Sequence, residues 1–119
     1  MSSPVILDPA AIENLRSLNP GDQDEFLREI IGIFLEDAPQ RLTELDECLV
    51  TGDASRFSRA AHSIKGSSSN LGATALRDVA GQLEQRSQQE GLANVATLLA
   101  DLKVEYGRAQ VELTKLLAP

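Results

Sequence analysis

The 119-residue sequence has no tryptophan, one cysteine, one histidine and only 3% aromatic residues. So few aromatic residues disfavour a core built on β-sheet pairs, whereas the abundant leucine and alanine favour aliphatic helix packing. The 42% hydrophobic content can fill one modest core, and the length suits one domain rather than two. We therefore expect a single all-α domain over residues 1–119.

Other absences bear on location and partners. The lone Cys48 cannot form an internal disulfide or a CxxC site. The N-terminal stretch MSSPVILDPA has neither the basic start nor the long apolar run of an export signal or membrane anchor. The net charge of -7 argues against general binding to nucleic acid or to anionic membranes. These features predict a cytoplasmic protein with no nucleic-acid and no membrane partner.

Apolar residues recur at helical spacing in five segments separated by short turns. The predicted helices cover residues 9–18, 22–50, 54–70, 74–89 and 92–117. Pro39 lies inside the second of these, which predicts a kink or local break there. Short connections make neighbouring helices antiparallel, so we expect an up-down-up-down antiparallel four-helix bundle with a short additional N-terminal helix. The residues predicted to face the core are Ile12, Leu15, Leu18, Phe26, Ile30, Ile33, Phe34, Leu42, Leu45, Leu49, Phe57, Ala60, Ala61, Ile64, Ser68, Leu71, Leu76, Val79, Ala80, Leu83, Leu99, Leu102, Tyr106, Ala109, Leu113 and Leu116.

The only histidine, His62, is predicted to point away from the core. At about 100° per residue, the apolar side chains of its helix lie on the side opposite the imidazole. The residues predicted to surround it on the solvent side are Ser55, Ser58, Lys65, Gly66 and Ser69, with Arg59 at the margin. This arrangement predicts a small, open, polar patch.

Two local features indicate that this histidine is functional. A glycine inside a helix costs about 1 kcal/mol relative to alanine, so Gly66 calls for a reason such as close approach by another molecule. Residues 54–77 also contain several bases and no acid, although the chain is acidic elsewhere. The bases of this predicted positive island are Arg56, Arg59, Lys65 and Arg77. A positive island suits an anionic group.

These residue types match the chemistry of phosphoryl transfer. An imidazole with a pKa near 6.5 is largely neutral at pH 7 and is a competent nitrogen nucleophile. The ammonium of Lys65 can balance the charge of a phosphoryl group in transit. A metal site is disfavoured, because the helical neighbours of His62 are not usual ligands. The sequence also has no hydrolase nucleophile elbow and no nucleotide-binding glycine loop.

The stretch AAHSIKGSSSNLGA resembles the signature of histidine-containing phosphotransfer (HPt) domains. Further segments, LDPAAIENL, FLEDAPQRLTEL, GDASRFSRAAH and LRDVAGQLEQ, extend the resemblance over nearly the whole chain. It implies that His62 accepts a phosphoryl group from a receiver-domain aspartate and passes it to another. Receiver domains of response regulators or hybrid histidine kinases are the implied partners, and the receiver is expected to supply magnesium, so that this chain needs no cofactor of its own.

The resemblance also implies roles for the neighbours of His62. Lys65 matches the lysine beside the phosphohistidine, and Gly66 matches the glycine that leaves room for it. Glu84 falls where relatives carry glutamate or glutamine, and it either pairs with Lys65 or orients the imidazole. Ala80 departs from the cysteine of many members and is interpreted as a core variation. The candidate binding residues are Ser58, Arg59, Lys65, Gly66, Ser69 and Glu84.

Two alternatives remain open for the function. The chain could be a non-catalytic helical module that binds a receiver or a kinase, although a module of that kind would most simply lose the histidine. A purely structural bundle would leave Gly66 unexplained. Met1 and the end of the chain just past the last helix favour a free-standing protein over a domain of a hybrid kinase. We expect a monomer. Val104 and Val111 are the apolar residues through which a helical face could self-associate into a dimer.

Overall fold

The computed structural model describes residues 6–117, which form five α-helices. The helices are α1 (Pro9–Ser17), α2 (Glu25–Thr51), α3 (Ala54–Asn70), α4 (Thr74–Glu90) and α5 (Ala96–Leu117). Helices α2 to α5 form a four-helix bundle in which each packs against two others, and α1 lies against α2. The all-α prediction is therefore confirmed. Residues 1–5, which belong to the stretch used to argue against an export signal, lie outside the described residues.

Local sequence explains where the helices begin and end. The carboxylate of Asp8 accepts a hydrogen bond from the Ala10 amide at 3.0 Å, and Pro9 occupies the first position of α1. Asp53 caps α3 in the same way through the Arg56 amide, also at 3.0 Å. Gly52 ends α2 in the left-handed conformation, with a φ of 78°.

Gly72, in the turn between α3 and α4, joins that turn to the N-terminal segment. Its carbonyl accepts a hydrogen bond from the Asp8 amide at 2.8 Å, and its φ is 71°. A β-carbon at this position would lie 2.8 Å from the Ala11 β-carbon and 2.9 Å from the Asp8 nitrogen. Only glycine allows the two segments to approach this closely.

The core contains the predicted faces of α3 and most of those of α4 and α5, but two predicted core positions are wrong. Ile33 on α2 is 58% exposed and Leu18, at the end of α1, is 67% exposed. The α2 residues that are buried are Leu27, Ile31, Phe34, Ala38, Leu45 and Cys48. Helix α2 also continues through Pro39 without a break, while α5 begins at Ala96, later than the predicted position 92. Among residues 6–117, no helix is long and apolar enough to cross a membrane.

Candidate functional site

His62 lies on the outer surface of α3, at the edge that adjoins α4. Its side chain is 64% exposed. Phe57, Ala60 and Ile64 of the same helix are buried on the opposite side, so α3 is anchored by one face and presents the imidazole on the other. The exposure is sufficient for another protein to reach the ring.

Glu84 on α4 joins the two predicted functional side chains of α3. Its Oε2 lies 2.7 Å from Nδ1 of His62, and its Oε1 lies 2.7 Å from Nζ of Lys65. The Glu84 side chain is only 16% exposed, so the carboxylate sits in the crevice between α3 and α4. The two roles considered for Glu84, pairing with Lys65 and contact with the imidazole, are both present in the geometry.

The charge state of Glu84 determines which nitrogen of His62 is free. Burial raises the pKa of Glu84, but the hydrogen bonds with Lys65 and His62 and their charges outweigh burial, so that the net pKa is lowered. The carboxylate is therefore ionised at neutral pH and can only accept hydrogen bonds. Nδ1 must then carry the proton and donate to Oε2, which leaves the lone pair of a neutral imidazole on Nε2.

Gly66 lies on the exposed surface of α3, one turn beyond His62. A β-carbon added there would meet nothing within 4 Å. The packing of this chain therefore does not require a glycine at this position. The open space beside Gly66 leaves room for a molecule that approaches from outside.

Two of the other predicted neighbours differ in their surroundings. Arg59 is exposed, and its Nη1 donates to the Ser55 hydroxyl at 3.0 Å. Ser58 was predicted to face solvent but is buried at 7% exposure, because α4 covers it and Gln88 donates to its hydroxyl at 3.0 Å. Ser58 is thus a contact between α3 and α4 rather than part of the open face. Ser69 is exposed, as predicted.

The predicted positive island is largely neutralised, because three of its four bases pair with acids and only Arg59 forms no ion pair within residues 6–117. Arg56 lies 2.9 Å from Glu44 and 3.3 Å from Glu47 of α2, and Arg77 lies 3.0 Å from its neighbour Asp78. Lys65 is likewise paired with Glu84, as described above. The acids that neutralise these bases come from other helices or from just beyond residues 54–77, so a charge count over that stretch could not include them.

Sequence reasoning missed one residue at the site, Gly81 on α4. A β-carbon there would lie 3.4 Å from Cδ of Lys65. The only signal in the sequence was a glycine inside a predicted helix, and it could not single out Gly81, because Gly32 and Gly107 also lie inside predicted helices. As for metals, residues 6–117 contain no group of three or more histidine, cysteine or acidic side chains arranged to hold an ion.

Comparison with known proteins identifies the family. The model of the Hpt domain family matches residues 29–114. The sequence is 28% identical over 79 residues to multistep phosphorelay regulator 1 of Schizosaccharomyces pombe, a match that covers 66% of this chain and only 27% of that protein. The chain thus corresponds to about a quarter of the length of this relative.

Two solved structures share the fold. The structure of histidine-containing phosphotransfer protein B from Pseudomonas aeruginosa PAO1 superposes with a TM-score of 0.86 at 27% identity, over 97% of this chain and 96% of that one. A histidine-containing phosphotransfer protein from Medicago truncatula superposes with a TM-score of 0.79 at 24% identity, over 94% of this chain and 76% of that one. The family match over most of the sequence, together with a bundle that presents an exposed histidine beside Lys65 and Glu84, shows that the chain belongs to the Hpt domain family.

Proposed function

We propose that the protein carries a phosphoryl group on Nε2 of His62 and exchanges it with the aspartates of receiver domains. The observation that carries this proposal is the 2.7 Å contact between Nδ1 of His62 and Glu84 on an imidazole that is otherwise exposed. The contact supports a tautomer with the ring proton on Nδ1, which keeps the lone pair of Nε2 available as a nucleophile.

The transfer step needs no reactant other than the imidazole of His62 and the aspartyl phosphate of the receiver. Nε2 attacks the phosphorus of an aspartyl phosphate, the nitrogen–phosphorus bond forms, and the bond from phosphorus to the aspartate oxygen breaks with the carboxylate as leaving group. The ring gains positive charge while its proton stays on Nδ1. Glu84, which accepts a hydrogen bond from Nδ1, stabilises that charge. The reverse step returns the phosphoryl group to a second receiver.

The partner supplies the rest of the site in this scheme. Magnesium would be held by the acidic residues of the receiver and would neutralise charge on the phosphoryl oxygens. From this chain, the ammonium of Lys65 adds a positive charge one helical turn from His62. Gly66 leaves the surface beside the imidazole open, so that the receiver can approach closely. We further propose that the protein acts as a monomer in the cytoplasm.

The test is to mix the protein with a receiver domain that carries a radiolabelled aspartyl phosphate. We expect label on this chain that is stable to base and labile to acid, as a phosphoramidate is. The control variant is His62→Gln, which should fold, since position 62 is exposed, and should stay unlabelled. Label of the same stability on His62→Gln would contradict the assignment.

The same experiment separates the carrier from a non-catalytic binding module. A binding module would form a complex with the receiver and remain unlabelled, and His62→Gln would bind as well as the parent. Measuring complex formation next to labelling therefore distinguishes the two functions.

A further inference from the structure

Gly81 lies in the middle of α4, where a glycine costs about 1 kcal/mol relative to alanine. Three other glycines lie inside helices, Gly32, Gly66 and Gly107, and a β-carbon at any of them would meet nothing within 4 Å. At Gly81 the corresponding β-carbon would lie 3.4 Å from Cδ of Lys65. The missing side chain of Gly81 therefore faces a residue of the functional site.

The path of Lys65 explains this contact. Its side chain leaves α3, passes over the bare backbone of α4 at Gly81, and ends with Nζ 2.7 Å from Oε1 of Glu84. Gly81 and Glu84 are three residues apart on α4 and so share one face of that helix. The side chain of Lys65 is 39% exposed against 64% for His62, in keeping with a stem laid along the protein surface.

We propose that Gly81 is a positioning residue of the phosphotransfer site: its lack of a side chain forms the channel that directs the Lys65 ammonium to Glu84 and to the phosphoryl group on His62. The part that concerns Glu84 stands on the geometry alone. The part that concerns the phosphoryl group rests on the function proposed above.

The distances set the size of side chain that the channel accepts. Alanine at position 81 would place its β-carbon at the limit of ordinary contact with Lys65. Valine would add two methyl groups about 1.5 Å further out, and at least one would enter the space of the Lys65 stem. Gly81→Ala should thus keep the Lys65–Glu84 pair, whereas Gly81→Val should break it.

The first experiment uses the unphosphorylated protein. The Glu84 carboxyl is titrated by carbon NMR in the parent, Gly81→Ala, Gly81→Val and the matched control Gly107→Val, whose side chain enters open space on α5. Loss of the Lys65 hydrogen bond removes the largest influence that lowers the Glu84 pKa. We expect a raised Glu84 pKa in Gly81→Val and parental values in Gly81→Ala and Gly107→Val. A parental pKa in Gly81→Val would overturn the proposal, whether or not the protein transfers phosphoryl groups.

The second experiment is a double-mutant cycle on the rate of transfer from a phosphorylated receiver. If Gly81 acts through Lys65, Gly81→Val slows transfer about as much as Lys65→Ala does, and the double variant is no slower than Lys65→Ala alone. Effects that multiply in the double variant would overturn the role in transfer. A parent chain that takes up no label would refute the proposed function and leave the titration to decide on Gly81.

Melting curves accompany both experiments. Valine has a higher helix propensity than glycine, so Gly81→Val is expected to fold. If it does not fold, Gly81→Leu takes its place, because leucine is a better helix former and its side chain also fills the channel. A parental titration and a parental transfer rate in Gly81→Leu would overturn the proposal.

Discussion

At the residue scale, a single carboxylate, that of Glu84, contacts both functional side chains of α3. Each oxygen of Glu84 takes one partner, Nδ1 of His62 on one side and Nζ of Lys65 on the other. The imidazole is therefore oriented by a group that is itself fixed by an ion pair. Any change at Glu84 affects the ring and the ammonium together.

Lys65→Ala is expected to slow phosphoryl transfer without unfolding the protein. The substitution removes one partly exposed positive charge, and pairs of this kind are worth up to about 1 kcal/mol, which corresponds to a roughly fivefold change in rate. The measurement is the time course of label transfer from one receiver, with Lys103→Ala as the control. Lys103 of α5 is paired with Asp46 of α2, and neither helix carries His62, Lys65 or Glu84. Parental rates in Lys65→Ala would show that the receiver supplies all of the relevant charge.

Tyr106 offers a test of the core. Its ring lies 5.9 Å from that of Phe34, and its buried hydroxyl has no hydrogen-bond partner among the described residues. Burial raises the pKa of Tyr106, so the hydroxyl stays neutral. Removing an unpartnered buried hydroxyl should stabilise the fold, and we expect Tyr106→Phe to raise the free energy of unfolding by about 1 kcal/mol. Urea unfolding measures this, and a loss of stability would indicate that the hydroxyl has a partner.

At the scale of the elements, sequence periodicity predicted α3 well and α2 less well. The apolar residues of α3 that enter the core were predicted correctly, because polar residues separate them and leave only one apolar face. Helix α2 has adjacent apolar residues, among them Ile30, Ile31, Ile33 and Phe34, on more than one side. Periodicity alone could not choose between these faces, and packing against α3 and α5 selected Ile31 and left Ile33 exposed.

The candidate site shows the same limit of sequence reasoning. His62 could be placed on the exposed side of α3 from its own helix. The burial of Ser58 could not be predicted, because the covering residue, Gln88, lies on α4. The neutralisation of Arg56 depends in the same way on α2. Facts about one helix were accessible from the sequence, and facts about the contact between two helices required the structure.

A substitution at Gly66 of α3 can show an effect on stability separately from an effect on function. A side chain there meets open space, and glutamine has a higher helix propensity than glycine, so Gly66→Gln should stabilise the fold by about 0.5 kcal/mol. The added side chain lies beside the imidazole and should hinder the receiver, so transfer should slow. Melting curves and transfer time courses on the same samples test this, with Gly107→Gln as the control. Parental transfer by a stabilised Gly66→Gln would show that Gly66 does not keep space open for the partner.

For the whole molecule, ion pairs between helices make stability depend on pH. Glu44 of α2 pairs with Arg56 of α3, and Glu84 of α4 pairs with Lys65 of α3. Burial raises the pKa of Glu44, but Arg56 and Arg41 outweigh it, so the pKa of Glu44, like that of Glu84, is below the ordinary value of 4.5. A lowered pKa in the folded state contributes stability that is complete above the unfolded-state value and is lost as the pH falls through the folded-state value.

Glu44→Gln is therefore expected to be less stable than the parent at about pH 7, by about 1 kcal/mol, and to differ little from it at about pH 3. Urea unfolding at the two pH values measures the difference. Glu29→Gln is the matched control, since Glu29 is an exposed residue of the same helix that forms no ion pair within residues 6–117. An equal difference at both pH values would mean that Glu44 acts through packing and not through its charge.

The pairing of bases with acids around His62 also determines how a partner finds this surface. Arg56, Lys65 and Arg77 each lie beside a carboxylate, so their fields largely cancel within a few ångströms. Long-range attraction is the part of an encounter that dissolved ions weaken, because mobile ions screen charges over about 10 Å at 0.1 M. Under the proposed function, these three bases then contribute little to the long-range encounter with a receiver, which is retained by the fit of the surfaces. Any dependence of the transfer rate on salt would then arise from the net charge of -7 and from Arg59, which forms no ion pair within residues 6–117, and not from these three bases.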